Sequence, residues 1–505
     1  MAQGKPVETH IAQQSPDLDE ANRVLQEAVQ LRQQGTLETF QQAITLFERA
    51  VTLFRQAGEQ RLEASSLVNI GFIYNSLGEK QKALEYYERA LPLDQVVGDR
   101  GGEGTTLNNI GRVYDSLGEK QKALEYYERA LPLYQAVGDR GGEATTLNNI
   151  GAVYDDLGEK QKALEYYERA LPLRQAVGDR GGEAATLNNI GLVYDDLGEK
   201  QKALEYLERA LPLIQAAGDR GGEAATLNNI GAVHNSLGER QKALEYYDRA
   251  LPLLQAVGDR RGEATTLNNI GLVYDSLGEK QKALEYYERA LPLRQAVGDR
   301  GGEAATLNNI GLVYDSLGEK QKALEYLERA LPLYQAVGDR GGEGTTLNNI
   351  GLVYNDLGEK QKALEYYARA LPLSQAVGDR GGESATLSNI GLVYNSLGEK
   401  QKALEYYERA LPLSQAVGDR GGEAQILNNI GAVYDSLGEK QKALEYYARA
   451  LPLSQAVGDR GGEARTLWNI ASLQRSQGNL ENALTEMEKS IAILEDLRTK
   501  APTTE

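Results

Sequence analysis

Side chains able to do acid–base, nucleophilic or metal chemistry are scarce in this chain, and the polar groups that abound are arranged for binding. There is no cysteine, and the two histidines are His10 and His234. A Ser/His/Asp or Cys/His system needs a histidine poised beside its nucleophile. His10 lies in a polar stretch, and His234 stands where tyrosine stands at most equivalent positions, so it reads as a ring-for-ring packing substitution. The glycine-rich run Gly138-Asp139-Arg140-Gly141-Gly142 follows a helical pattern rather than a strand. It therefore reads as a helix-to-helix turn and not as a phosphate cradle. No cofactor, metal or enzymatic activity is implied.

What recurs instead is asparagine. One row runs through Asn109, Asn149, Asn189, Asn229, Asn269, Asn309 and Asn349, with further members from Asn69 to Asn469. A second runs through Asn108, Asn148, Asn188, Asn228, Asn268, Asn308 and Asn348, and resumes at Asn428. A side-chain amide donates and accepts, so a ladder of amides can satisfy the backbone of an extended peptide whatever its sequence. The Asn108 row is assigned to ligand. The Asn109 row serves either a ligand or bonds between neighbouring helices. Beside them lies an acidic row, Asp115, Asp155, Asp195, Asp275, Asp315 and Asp435. It either favours Lys or Arg on a partner or is an ordinary solvated face. Leu192, Leu272, Leu312, Leu352 and Leu392 add apolar contact between the polar rows.

These rows exist because the chain repeats every 40 residues. Ten units run in register from Ala64 to Glu463, and such a period marks an elongated array rather than one globular core. Each unit carries two apolar stripes at helical spacing. Leu107, Ile110, Gly111, Tyr114 and Leu117 form the first, and Ala123, Leu124, Tyr127, Ala130 and Leu131 the second. Gly118 is the expected left-handed residue of the turn between them, Gly138 ends the second helix, and Asp139 caps the next, with Glu143 in its first turn. Gly111 and Ala123 permit close approach and Tyr127 fills the gap toward the next unit. A single unit cannot bury both stripes, so neighbours are required for stability. Of the Tyr126-Tyr127 pair, which resembles a stacking platform for bases, Tyr127 falls on the core stripe. Lys120, Lys122 and Arg129 interleave with Glu119, Glu125 and Glu128 as solvated pairs on the outer face.

The order Leu107, Ile110, Gly111, Tyr114, Gly118, Ala123, Tyr127, Ala130 resembles the tetratricopeptide repeat signature place for place, over residues 18 to 500. The six extra residues, 138 to 143, make the unit similar to the repeats of kinesin light chains and of Pins/LGN-type adaptors. The resemblance implies an all-α, right-handed α-solenoid superhelix of about twelve helix-turn-helix units, whose concave groove binds extended peptides or partner proteins. Lys120 departs from the family by standing where an aromatic is usual. Pro132 and its equivalents, from Pro92 to Pro452, lie inside the second helix, where a proline removes a backbone hydrogen bond and is expected to bend it.

Residues 1–17 and 501–505 read as tails and 18–63 as a divergent first unit, with a longer turn from Gly35 to Gln41. Residues 464–500 read as a degenerate last unit whose polar second helix caps the array. The ending NALTEMEKSIAILEDLRTK resembles the segment at which bacterial arrays of this family hand over to a caspase-like CHAT domain. The alternative function is therefore the sensory arm of such a protease. A third possibility is end-to-end assembly into fibres, which a polar cap opposes.

The net charge is −18, from 73 acidic and 55 basic side chains. That argues against nucleic acid and anionic membranes as partners, and favours basic or mixed protein partners. No apolar run approaches the ~20 residues of a membrane span, and the N-terminus lacks a secretory h-region. A cytoplasmic, mostly monomeric scaffold is expected.

Overall fold

A computed structural model describes residues 16–500; His10 and the tails 1–15 and 501–505 lie outside it. The described residues are all-α: α1 (Pro16–Gln34), α2 (Leu37–Ala57), α3 (Gln60–Ser76), α4 (Lys80–Val97), α5 (Arg100–Ser116), α6 (Lys120–Val137), α7 (Arg140–Asp156), α8 (Lys160–Val177), α9 (Arg180–Asp196), α10 (Lys200–Ala217), α11 (Arg220–Ser236) and α12 (Arg240–Val257). The series continues with α13 (Arg260–Ser276), α14 (Lys280–Ala296), α15 (Arg300–Ser316), α16 (Lys320–Val337), α17 (Arg340–Asp356), α18 (Lys360–Val377), α19 (Arg380–Ser396), α20 (Lys400–Ala416), α21 (Arg420–Ser436), α22 (Lys440–Ala456), α23 (Arg460–Ser476) and α24 (Leu480–Lys500). Two compact units divide the chain, one up to Tyr246 and one from Tyr247.

The turns form as their residues dictate. Gly118 (φ 77°) and Gly138 (φ 69°) are left-handed. The Glu119 amide donates to the Tyr114 carbonyl (2.9 Å), closing the first helix where its carbonyls lose their own partners. An Asp139 carboxylate oxygen accepts from the Gly142 amide (3.0 Å), capping the next helix. Leu117 sits past the end of α5 and is exposed, so it belongs to the turn rather than to the apolar stripe.

Packing explains why single repeats are insufficient. Ala123, Leu124 and Tyr127 of α6 form one buried cluster with Ile150 and Val153 of α7, so each core of this kind straddles two repeats. A Cβ on Gly111 would lie 2.6 Å from Tyr127 Cε1; glycine is what lets the ring lie against α5. Burial pushes the Tyr127 hydroxyl far above its usual range. Within each unit the first helices of successive repeats adjoin one another, as α5 does α7 and α15 does α17, while the second helices do not pack on one another comparably. The first helices therefore occupy the inner side of each junction.

α6 runs unbroken through the exposed Pro132, which lies inside the helix as its sequence position implies. Three expectations change. The first-unit turn is short, because Thr36 caps α2 in a reciprocal bond with Thr39 and the helix starts at Leu37. Pro16 and Asp17, assigned to the tail, lie in α1. The last repeat is not sealed by a polar surface: Trp468, Leu480, Leu484, Ile491 and Leu494 are exposed.

Candidate functional site

Asn108 carries the first surprise of the inner row. Its side chain is only 6% exposed. Its Oδ1 accepts from Asn149 Nδ2 of the next repeat (3.2 Å) and lies 3.2 Å from Thr146 Oγ1. Thr146 also stands 2.9 Å from the Gly142 carbonyl of its own helix, so its one proton is divided between two acceptors. The arrangement recurs as Asn148 with Thr186 and Asn189, and Asn188 with Thr226 and Asn229. In the second unit it recurs as Asn268 with Thr306 and Asn309, Asn308 with Thr346 and Asn349, and Asn348 with Thr386 and Asn389. The ladder of free amides is thereby corrected: the two asparagine rows clasp successive first helices, and the Asn108 row is bound into the array no less than the Asn109 row. Among the described residues the Nδ2 of Asn108 donates to no protein group, so a donor remains for a ligand. Asn109 itself makes no such clasp, because Val68 occupies the place of its acceptor. Asn228 and Asn269 sit half-buried at the same helical positions.

Two junctions depart from the clasp in an instructive way. Where Ser388 replaces asparagine, Ile426 replaces the threonine that would have donated to it. Where Val68 replaces asparagine, Thr106 turns to Asp94 Oδ2 instead (2.9 Å). The threonine hydroxyl at this place is either given an acceptor or removed, as the cost of an unpaired polar group requires.

The acidic row is likewise corrected. Asp115, Asp155, Asp195, Asp275 and Asp315 each accept from a lysine five residues on, Lys120, Lys160, Lys200, Lys280 and Lys320, at 2.6–2.8 Å. Lys120 also reaches Asp156 of the next repeat, as Lys320 reaches Asp356 (2.7 Å). Burial lowers the Lys120 ammonium, but its bonds to the two aspartates outweigh this and raise it. Five of its six members are thus paired, and Lys120, Lys160 and Lys320 staple successive repeats; at Asp435 the lysine, Lys440, turns instead to Ser476 of the next repeat. The stapling also accounts for lysine at a place where the resembling repeats carry an aromatic.

The outer cations pair with acidic neighbours and also cover aromatic rings. Lys122 pairs with Glu119 at i,i+3 and lies 5.1 Å from the Tyr114 ring centroid. Tyr114 stacks on Tyr126 at 5.4 Å, and Arg129 covers Tyr126 at 5.3 Å. His234 takes the tyrosine's part in this column, stacked on Tyr246 at 5.3 Å, with its Nδ1 2.7 Å from Glu239 Oε2. The bonds from Lys242 and His234 hold Glu239 below the usual carboxylate range.

Sequence reasoning missed the position that varies most among the ten repeats. It reads Asp94, Tyr134, Arg174, Ile214, Leu254, Arg294, Tyr334, Ser374, Ser414 and Ser454. Its side chain passes between two first helices toward their inner face. Tyr134 donates to Thr105 Oγ1 (3.2 Å). Arg174 donates to Thr145 Oγ1 (2.9 Å) and to Asp179 (2.5 Å). Passage is possible because the facing residue is glycine: a Cβ on Gly182 would lie 2.7 Å from Arg174 Cδ. Variation amid near-identical copies was the available signal. The leucine row remains available to a ligand, with Leu192, Leu272 and Leu392 exposed and Leu312 and Leu352 half-buried.

Among the described residues, no helix is long and apolar enough to cross a membrane. The family model for the tetratricopeptide repeat matches nine windows, from 36–95 to 422–496. No match is found among curated proteins. Among solved structures, the signal transduction ATPase with numerous domains from Pyrococcus horikoshii, which has a tetratricopeptide repeat sensor, is similar over 73% of this chain and 55% of that one (17% identity, TM-score 0.55). The apo quorum sensor NprR from B. thuringiensis is similar over 72% of this chain and 99% of that one (17% identity, TM-score 0.52). A Rap protein complexed with competence and sporulation factor gives the same coverages and identity with a TM-score of 0.50. At these identities the likeness is one of fold.

Proposed function

The chain belongs to the tetratricopeptide repeat family, and on that footing we propose that it is a non-catalytic scaffold holding extended peptides or partner proteins along the inner face of its first helices. The observation that carries this reading is the leucine row. Leu192, Leu272 and Leu392 are each at least 36% exposed; Leu192 and Leu272 sit one helical turn beyond Asn188 and Asn268, and Leu392 beyond Ser388. Beside the first two lies an asparagine whose Oδ1, and not its Nδ2, serves the clasp. Apolar contact flanked by unspent donors suits an extended backbone with apolar side chains. A Rap protein is known bound to a factor on a similar fold, which supports the reading.

Because the asparagines hold the array together, their removal would test stability rather than binding. The informative variant changes Leu192, Leu272, Leu312, Leu352 and Leu392 to serine. Affinity capture from a lysate, read by mass spectrometry, should lose its specific partners with this variant while the circular dichroism spectrum stays that of the parent. Partners retained in full would refute the reading.

A further inference from the structure

The junction between α3 and α5 contains a cavity of about 570 Å³, lined by Arg61, Ser65, Asp94, Asp99, Gly102 and Thr105 among others. Asp94 is 3% exposed. Its Oδ2 accepts from Thr106, and among the described residues its Oδ1 accepts from nothing. Burial first, then the neighbouring Asp99 and Glu103, raise its pKa to about 6, against the opposing bond from Thr106 and the charge of Arg61.

The chain itself shows what group fits such a place. At the equivalent position two repeats on, the Arg174 guanidinium lies against Gly182 and bonds to Asp179 and to Thr145. The counterparts at the first junction are Gly102, Asp99 and Ser65, and all three line the cavity. In the second unit, Arg294 fills the same place and bonds to Asp299 (2.6 Å), with Arg261 also lowering that carboxyl. Arg61 is the counterpart of Arg261 and pairs with Asp99 (2.6 Å). The two junctions thus share the capping aspartate and the edge arginine. They differ in the inserted group, a guanidinium at 294 and a carboxylate at 94. Exchanging one for the other removes a cation, adds an anion and opens space.

We propose that this cavity is a binding site for the guanidinium of an arginine side chain on an extended peptide ligand, held by Asp94 and Asp99 as Arg174 is held by Asp179. The site rests on the peptide-scaffold reading and names one residue its ligand carries. A planar cation with several donors matches two carboxylates and a hydroxyl better than a neutral isostere does.

The test uses the full chain and the capped peptide acetyl-Gly-Gly-Arg-Gly-Gly-amide, with the citrulline peptide as its uncharged match, titrated by NMR at low salt. The arginine peptide should bind at least about tenfold more tightly than the citrulline peptide. Asp94→Tyr, which installs the side chain found at 134, should abolish the difference, and Asp94→Asn should reduce it about fivefold or more. Thermal melts of both variants establish that the array is intact. Equal binding of the two peptides, binding unaffected by Asp94→Tyr, or no binding of the arginine peptide by the parent chain would each overturn the site. Partners lost through the leucine variant but unchanged by Asp94→Tyr would sink this site alone and leave the scaffold reading standing.

Discussion

Two junctions within the second unit solve one problem in opposite ways. Between α15 and α17, Asn308 accepts from Thr346 and Asn349 in a buried polar clasp. Between α19 and α21, Ser388 and Ile426 occupy the first two of those places and the junction is largely apolar. Both close the same helix pair, yet neither half of one would serve the other. The unit of substitution at this interface is the pair, because an acceptor without its donor, or a hydroxyl without its acceptor, carries a desolvation cost that the intact pair avoids.

The sharpest way to break this comparison is to mix the halves. Thr346→Ile alone removes a donor from Asn308 and adds bulk at a closed junction. We expect a loss of about 2–3 kcal/mol, measured by hydrogen exchange at α15 and α17. Adding Asn308→Ser should restore a large part of that, and simple additivity of the two changes would refute the coupling. The reverse exchange should cost less. Ile426→Thr leaves a small void, but its hydroxyl can turn to the Gly422 carbonyl as Thr346 does to that of Gly342. We expect roughly 1–2 kcal/mol, eased by Ser388→Asn, in urea denaturation.

The third kind of junction, Val68 with Thr106 and Asp94, should show itself through pH. The folded-state pKa of Asp94 is about 6, above its ordinary value of 3.8, with Arg61 from α3 and Asp99 and Glu103 at the start of α5 as the charges around it. A raised carboxyl pKa means that the folded state binds the proton more tightly than the unfolded state. The resulting destabilisation is absent below about pH 4, grows as pH rises to 6, and is constant above. Asp94→Asn should therefore raise the melting temperature above pH 6 by the equivalent of up to about 3 kcal/mol, with the advantage fading toward pH 4. A melting difference that does not change with pH would contradict this. The smallest effect belongs to the staples. Lys320→Met should cost at most about 1 kcal/mol and matter less as salt is added; a loss insensitive to salt would show that packing, not charge, holds Lys320 in place.

Much of this was legible in the sequence. The 40-residue period, the helix pairs, the left-handed Gly118 and Gly138 and the Asp139 cap all follow from local rules, and the structure repeats them unit after unit. The role of the asparagines did not follow from one repeat. Asn108 and Asn109 are adjacent on one helix, and what separates their tasks is the offset of the next helix, a property of stacking rather than of propensity. The odd junctions held that information, since Ser388 and Ile426 change together. The lysine staples were hidden for the same reason: Lys120 meets Asp156 only across a junction. The solvated pairing of Lys122 with Glu119 was legible; the cation–π columns were not, because Lys122 and Arg129 have acidic neighbours in sequence and aromatic ones in space.

The glycine that faces the varied side chain, Gly102 in one repeat and Gly182 in another, has a consequence for how such a chain can change over time. Copies made by duplication begin alike, and most of their surfaces are pinned by partners on the next copy. At this one place the neighbour offers no side chain to clash with, so tyrosine, arginine, leucine, serine or aspartate can be written in while the facing glycine stays the same. A protein built this way can diversify its inner lining one letter at a time, while its architecture stays silent about which letters were chosen.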